Sequence, residues 1–206
     1  MELIPTQDEV IRLLRDTGAL RTGHFRYGSG LHSEEGLQVA MAMRYYQHAR
    51  TLGVALSRKV RAHTELSAII TELSIVSPGA GGIPVAYAVC EALRANQVYW
   101  AERDRPDSPL AFRKGISAEK GEKVLIVDDM LRSGRSVSEL RRIVEDSGDE
   151  VVGIAVMVYQ PNPDTKTFGD LPFFYLAQLS GRYWRRAEEC ELCKAGVPAE
   201  SVYVPV

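Results

Sequence analysis

The chain has 206 residues, 45% of them hydrophobic and 25% charged, which is enough apolar material for one compact domain with a real core. Its 25 Lys and Arg against 27 Asp and Glu leave a formal net charge of −2, so no global basic field points to nucleic acid or to an anionic membrane surface. The longest apolar runs, such as Ile154 to Tyr159, fall far short of the roughly 20 residues of a membrane span, and an odd count of three cysteines points to a reducing compartment.

The opening MELIPTQDEV carries acids where a signal peptide carries a basic patch. The expectation is a cytoplasmic protein with neither a membrane nor a nucleic-acid partner. From Gln7 to Asp16, Val10, Ile11, Leu13 and Leu14 recur at helical spacing, and Thr17-Gly18 stops the pattern. Gly28-Ser29-Gly30 is a turn between two more regular pieces. A second helix is predicted from about Tyr46 to Ala62, with Ala49, Leu52, Leu56 and Val60 facing inward.

From there strands and helices alternate. Leu73 to Val76 reads as a strand that runs through Ser77, Pro78, Gly79, Ala80 and Gly81 into a helix from Ile83 to about Ala95. Val98 to Trp100 is a further strand, and the polar stretch from Glu102 to Gly121 has the length of a functional loop or a β-excursion. Val124 to Val127 is a strand, Val137 to Asp146 a helix, and Val151 to Tyr159 an apolar run of the kind buried on both faces of a parallel sheet. One more strand is predicted at Phe173 to Leu179. The fold class is therefore α/β, a parallel sheet flanked by helices, with a small extra element built from the two termini.

The segment VLIVDDMLRSGRS, Val124 to Ser136, carries the chemistry. An apolar strand delivers Asp128 and Asp129 to the carboxyl edge of the sheet, where ligands of open α/β sheets collect. The loop that follows, with Ser133, Gly134 and Ser136, opens a helix whose free N–H groups and dipole suit a phosphate, and Arg132 and Arg135 add charge. Carboxylates beside a phosphate cradle call for hydroxyl donors. A ribose 5-phosphate satisfies both halves.

The same segment resembles the phosphoribosyl pyrophosphate signature of type I phosphoribosyltransferases. The resemblance extends to the orotate phosphoribosyltransferases over nearly the whole chain, through GALRTGHFRYGSGLHS, SPGAGGIP, the AERD and FRKG stretches and the terminal EECELCKAGVP. It implies a single domain over residues 1–206, with a core at about 44–160 and a hood from the terminal segments. It also implies transfer of ribose 5-phosphate from phosphoribosyl pyrophosphate to a base nitrogen, with Mg²⁺ bound, in a homodimer. On this reading Asp128 and Asp129 hold the ribose hydroxyls, and the run Met130, Leu131, Arg132, Ser133, Gly134, Arg135 and Ser136 completes the phosphoribosyl site. Ser77, Pro78, Gly79, Ala80 and Gly81 approach pyrophosphate through backbone N–H groups. Arg103, Arg113 and Lys114 supply the loop cations that help pyrophosphate leave, Arg103 and Lys114 as catalytic residues.

The base side departs from the family pattern. A threonine is usual where this chain has Arg132, an arginine is usual at Gln160, and an aromatic pair is replaced by Gly36-Leu37. Arg132 and Gln160 are accordingly the base-binding candidates, Arg132 standing in for the missing cation. Three readings stay open: an orotate enzyme, an enzyme for another base, and a regulator that senses phosphoribosyl pyrophosphate or a nucleotide without catalysis.

Cys190 and Cys193 form a CxxC, two ligands short of a tetrahedral zinc site, and are read as terminal structure with no metal-ligating residue assigned. His24 and His32 flank the Gly-Ser turn and are read as structural or near the ligand. Tyr183 and Trp184 are read as terminal packing or a dimer contact.

Overall fold

The computed structural model describes residues 4–105, 108–113 and 121–202. Helix α1 (Gln7–Asp16) starts with a capping box, in which Glu9 N–H donates to Thr6 Oγ1 and Thr6 N–H to the Glu9 carboxylate at 2.7 Å. Strands β1 (Leu20–Arg26) and β2 (His32–Leu37) form an antiparallel hairpin closed by Tyr27 N–H to Leu31 O at 2.9 Å. A short α2 (Ala40–Met43) leads into α3 (Tyr46–Arg61) and α4 (Thr64–Ala68), then a single 3₁₀ turn at Ile70–Glu72.

The α/β alternation follows as β3 (Leu73–Ser77), α5 (Ile83–Leu93), β4 (Gln97–Glu102), β5 (Ala111–Phe112), β6 (Lys123–Leu131), α6 (Arg135–Asp146), β7 (Glu150–Tyr159) and β8 (Phe173–Gln178). These strands make a six-stranded sheet in the order β5-β4-β3-β6-β7-β8. All neighbours are parallel except β5, which returns antiparallel along β4. The polar stretch after β4 is thus a β-excursion in its described part. The terminal β9 (Tyr183–Trp184), α7 (Glu191–Lys194) and β10 (Glu200–Ser201) close the chain, and β10-β1-β2-β9 form a second, four-stranded sheet.

Strand alternation sorts the core onto the two faces of the large sheet. On β6, Leu125 and Val127 pack with α1, α3 and α5, whereas Val124 and Ile126 pack against Val137, Leu140 and Val144 of α6. The strand prediction for 73–76, the apolar run at 151–159 and the helices at 7–16 and 46–62 are found within one or two residues of the expected bounds.

Two features differ from the sequence reading. The pieces on either side of the Gly-Ser turn are strands of a separate sheet, built from residues too mixed in character to show a strand period. The strand expected to end at Val127 runs on to Leu131, because β7 is longer than β3. Asp128 still pairs with Val156 and Met130 with Val158, while the β3 partner is exhausted at Ile126. The two acids therefore stand on one rigid strand at the point where its other neighbour turns away.

Candidate active site

Four segments meet at the carboxyl edge of the large sheet: Ser77–Gly82 after β3, Arg103 after β4, the Asp128–Ser136 run, and Gln160 after β7. Parallel strands put all four there as a matter of topology. A concavity of about 220 Å³ is lined by residues 128–137.

Each acid uses one carboxylate oxygen locally. Asp128 Oδ1 accepts from the Asp129 N–H at 2.9 Å, and Asp129 Oδ1 accepts from the Met130 N–H at 2.8 Å. These bonds fix both side chains. Burial pushes both carboxyls above the usual carboxylate range, and the charge of Asp129 pushes Asp128 further. The fold holds two acceptors in a place that disfavours their charge, which a ligand donating hydroxyl hydrogens would relieve.

The loop after β6 turns at Gly134, whose φ of +74° is in the left-handed region. A Cβ there would also meet the Phe168 ring at 3.0 Å. The loop is tied down by Lys166 N–H to Ser133 O at 3.0 Å and by the Thr165 hydroxyl to the Arg132 carbonyl. Arg135 opens α6, so the free N–H groups of the helix start face the end of this loop.

The glycine loop after β3 shows why glycine is needed. A Cβ on Gly82 would lie 2.2 Å from Ser77 Oγ and 2.6 Å from Asp128 Oδ1, and one on Gly81 would lie 3.1 Å from Asp129 Oδ2. The sequence reading gave Ser77 to Gly81 to a pyrophosphate and left Gly82 without a role. The structure adds a second reason, close passage of the loop over the two acids.

On the base side, Arg132 donates to Gln160 Oε1 from Nε at 3.1 Å and from Nη2 at 2.9 Å. Its guanidinium lies 3.9 Å from the centre of the Tyr27 ring, a cation–π stack. Tyr27 in turn donates to the Glu35 carbonyl at 2.7 Å. Among the described residues, Gln160 Nε2, Glu35 Oε2 and Tyr183 Oη are buried atoms of this wall with no well-formed hydrogen bond. Burial pushes up the Glu35 carboxyl and both the Tyr27 and Tyr183 phenols, while the Arg132 charge pulls the phenols back. Unpaired groups of this kind cost free energy until a polar ligand meets them. Tyr27, Glu35 and Tyr183 were not singled out as base-side residues by sequence, since each lies in the terminal sheet or at its hairpin turn and only pairing across the fold brings it to Arg132.

Of the loop cations, Arg103 pairs with Glu139 of α6 at 2.6 Å and donates to the Ser108 carbonyl. Arg113 pairs with Glu102 and is largely exposed. Lys114 lies outside the described residues. Glu139 also receives Arg135 at 3.0 Å, and although burial raises its carboxyl, the bonds from Arg135 and Arg103 outweigh that and hold it below its usual value.

The comparisons with known proteins agree with this geometry. Residues 49–167 match the phosphoribosyl transferase domain. The chain is a type I phosphoribosyltransferase. Within that family it is 34% identical over 195 residues to the orotate phosphoribosyltransferase of Pelotomaculum thermopropionicum, covering 94% of this chain and 95% of that one. It is 32% identical over 196 residues to the orotate phosphoribosyltransferase of Chlorobaculum parvum, covering 95% of each. Among solved structures, the orotate phosphoribosyltransferase of Aeropyrum pernix superposes with a TM-score of 0.63 at 18% identity, over 82% of this chain and 93% of that one, which speaks for the phosphoribosyltransferase fold.

Away from this edge, the phosphoribosyltransferase carries a second cluster. The CxxC is not a lone pair: His24, His32, Cys190 and Cys193 bring one ligand atom each to within 4.8 Å of one another. The premise that two ligands are missing is corrected by the hairpin, which folds both histidines onto the cysteines. Tyr183 packs against the small cluster of Phe25, Tyr27, Leu31 and Val202, as terminal packing requires. Among the described residues, no helix is long and apolar enough to cross a membrane.

Proposed function

We propose that the protein transfers ribose 5-phosphate from phosphoribosyl pyrophosphate to orotate, forming orotidine 5′-phosphate and pyrophosphate in de novo pyrimidine nucleotide synthesis. The observation that carries this reading is the alignment, along one sheet edge, of paired acids, a phosphate loop at a helix start and the Arg132 guanidinium. The relatives with which the chain aligns nearly end to end bear the same activity in their names.

In the reaction the bond from the ribose anomeric carbon to pyrophosphate breaks and a bond from that carbon to a base nitrogen forms. Positive charge develops on the sugar and negative charge on the leaving group, so positioning and electrostatics do the work and no protein nucleophile is needed. Asp128 and Asp129 accept hydrogen bonds from the ribose hydroxyls. The N–H groups and hydroxyls from Arg132 to Ser136 hold the 5-phosphate. The Ser77–Gly81 loop takes pyrophosphate, and Arg103 and Arg113, on the excursion after β4, supply positive charge toward it, the role that the family resemblance also gives to Lys114.

The donor set fits Mg²⁺, a hard cation that binds substrate phosphates with few protein ligands. Asp128 and Asp129 would hold it through the ribose hydroxyls they orient, and when bound it neutralises charge on the departing pyrophosphate. For the base, Arg132 offers the orotate carboxylate a cation, Gln160 holds that cation in place, and Gln160 Nε2 has a hydrogen left to give.

Further parts of the reading are a single-domain enzyme, a homodimer and a cytoplasmic location. Tyr46 and Tyr87 are 75% and 54% exposed beside a cleft between α3 and α5, a surface suited to a second copy. None of the three cysteines is joined in a disulfide, and a reducing compartment would keep them so.

A phosphoribosyltransferase for another base is the second reading, favoured by the replacement of the family's arginine with Gln160. Incubating the enzyme with phosphoribosyl pyrophosphate, Mg²⁺ and orotate tests the first reading. Stoichiometric formation of orotidine 5′-phosphate and pyrophosphate is expected. Pyrophosphate release with a purine or another pyrimidine but not with orotate would move the assignment to the second reading.

A further inference from the structure

We propose that His24, His32, Cys190 and Cys193 bind one structural zinc ion that fastens the C-terminal segment to the β1–β2 hairpin. The four side chains come from three elements: β1, β2, and the start of α7, where Cys190 is the cap and Cys193 sits in the first turn. His24, His32 and Cys190 are buried and Cys193 is half-buried.

The contacts are those of a nearly assembled tetrahedron. His24 Nε2 lies 2.8 Å from His32 Nδ1, 3.5 Å from Cys190 Sγ and 3.6 Å from Cys193 Sγ, and Cys193 Sγ lies 3.4 Å from His32 Nδ1. With usual zinc–nitrogen and zinc–sulfur bonds, the edges of an S₂N₂ tetrahedron are about 3.4 Å between nitrogens, about 3.6 Å from nitrogen to sulfur and about 3.8 Å between sulfurs. The three nitrogen–sulfur distances agree with this to within about 0.2 Å, the two imidazoles need to part by about half an ångström to admit the ion, and all four ligand atoms lie within 4.8 Å of one another.

The second ring nitrogen of His24 supports the same reading. Nδ1 lies 2.7 Å from the Val197 carbonyl, which accepts and so must meet an N–H. That bond leaves Nε2 with a lone pair turned to the cluster, and a backbone carbonyl in this role is what a metal-bound histidine generally has. A hydrogen bond between the two imidazoles would explain the 2.8 Å distance. It would not explain why two sulfurs, 158 or more positions along the chain from either histidine, converge on the same nitrogens. Two thiolates with two imidazoles in tetrahedral array favour zinc over harder cations.

The terminal sheet has reason to need such a tie. Among the described residues its own buried apolar cluster is Phe25, Tyr27, Leu31 and Val202 with Tyr183 packed against them, and small cores of this kind are commonly supplemented by a metal or disulfides. The fastened hairpin carries Tyr27 and Glu35, so the ion would also steady the wall around Arg132. The inference is independent of which base the enzyme accepts.

Elemental analysis of the full-length protein, expressed in zinc-containing medium and purified without chelator, tests this. About one zinc per chain is expected, released when the thiols are titrated with a mercurial, as for a thiolate-held structural ion. Replacement by Co²⁺ should give the visible spectrum of a tetrahedral site with thiolate ligands, and Cys193→Ser and His24→Gln should lose the metal. Folded wild-type protein that holds no zinc and gives no such Co²⁺ spectrum would overturn the proposal. So would a Cys190–Cys193 disulfide found by mass spectrometry in protein kept under reducing conditions. Because the decisive measurements are made on the wild-type chain, a variant that fails to fold does not leave the question open.

Discussion

Arg132 and Gln160 meet at a single atom: both Nε and Nη2 of the arginine donate to Gln160 Oε1, at 3.1 and 2.9 Å. Gln160 is fully buried, and the Arg132 guanidinium is stacked on Tyr27 at 3.9 Å. The cation on the base side is thus fixed by a neutral partner that consumes none of its charge. A carboxylate in its place would have neutralised Arg132 and left nothing for an acidic base.

This arrangement predicts an asymmetric mutant pair. Arg132→Thr removes the cation and should lower kcat/KM for orotate by roughly thirty- to several-thousand-fold, the range for losing one partner of a desolvated charge pair at about 2–5 kcal/mol. Arg132→Thr combined with Gln160→Arg restores a cation just beyond the neighbouring strand and should recover part of the loss. Steady-state kinetics with both variants measure it, and a double variant no better than the single one would show that Arg132 does not serve as the replacement cation.

Asp128 makes a linked prediction for stability and activity. Its carboxyl is raised in the folded protein by burial first and by the Asp129 charge second. A group with a raised folded value binds its proton more tightly in the folded state, so stability from this residue falls as pH rises through that window. Asp128→Asn should therefore raise the melting temperature of the ligand-free protein at neutral pH, by about 2–4 °C for each 1 kcal/mol of penalty removed. The gain should shrink as pH falls toward the ordinary carboxylate range near 4. The same change should weaken phosphoribosyl pyrophosphate binding by about ten- to a hundred-fold, the range for a hydrogen bond to a charged group. A variant that is neither more stable nor weaker in binding would contradict the placement of this acid.

The two glycines over the acids separate crowding from conformation. Gly82 has a φ of −83°, which any residue adopts, yet a Cβ there would lie 2.2 Å from Ser77 Oγ and 2.6 Å from Asp128 Oδ1. Gly82→Ala should cost about 1–3 kcal/mol of stability through overpacking, and raise the KM for phosphoribosyl pyrophosphate by displacing Asp128. Gly81→Ala, with its nearest contact at 3.1 Å from the movable Asp129 carboxylate, should be milder. Denaturant titration of both variants reads the difference, and equal costs would argue against this tight passage.

The large sheet and the phosphoribose half of the site were legible in the sequence because both are local. Val124 to Val127 is an unbroken apolar run, and Asp128, Asp129, Ser133, Gly134 and Ser136 follow within one strand and one turn. The terminal sheet was not legible in this way. β1 is LRTGHFR and β2 is HSEEGL, neither alternating cleanly, and their partners β9 and β10 are two residues each and arrive from the far end of the chain. The same distance hid Tyr27, Glu35 and Tyr183 from the base-side reading, and it separated His24 and His32 from Cys190 and Cys193. The signal that would have found the cluster was the CxxC itself, which asks for two further ligands, with two histidines placed on either arm of one hairpin.

The central claim, phosphoribosyl transfer directed by the orotate carboxylate, is tested most directly by comparing orotate with uracil, which is the same ring without that carboxylate. With phosphoribosyl pyrophosphate and Mg²⁺ saturating, kcat/KM for orotate should exceed that for uracil by roughly thirty-fold or more, as about 2 kcal/mol or more of charge pairing to Arg132 demands. Equal turnover of the two bases, or turnover of neither, would contradict the account.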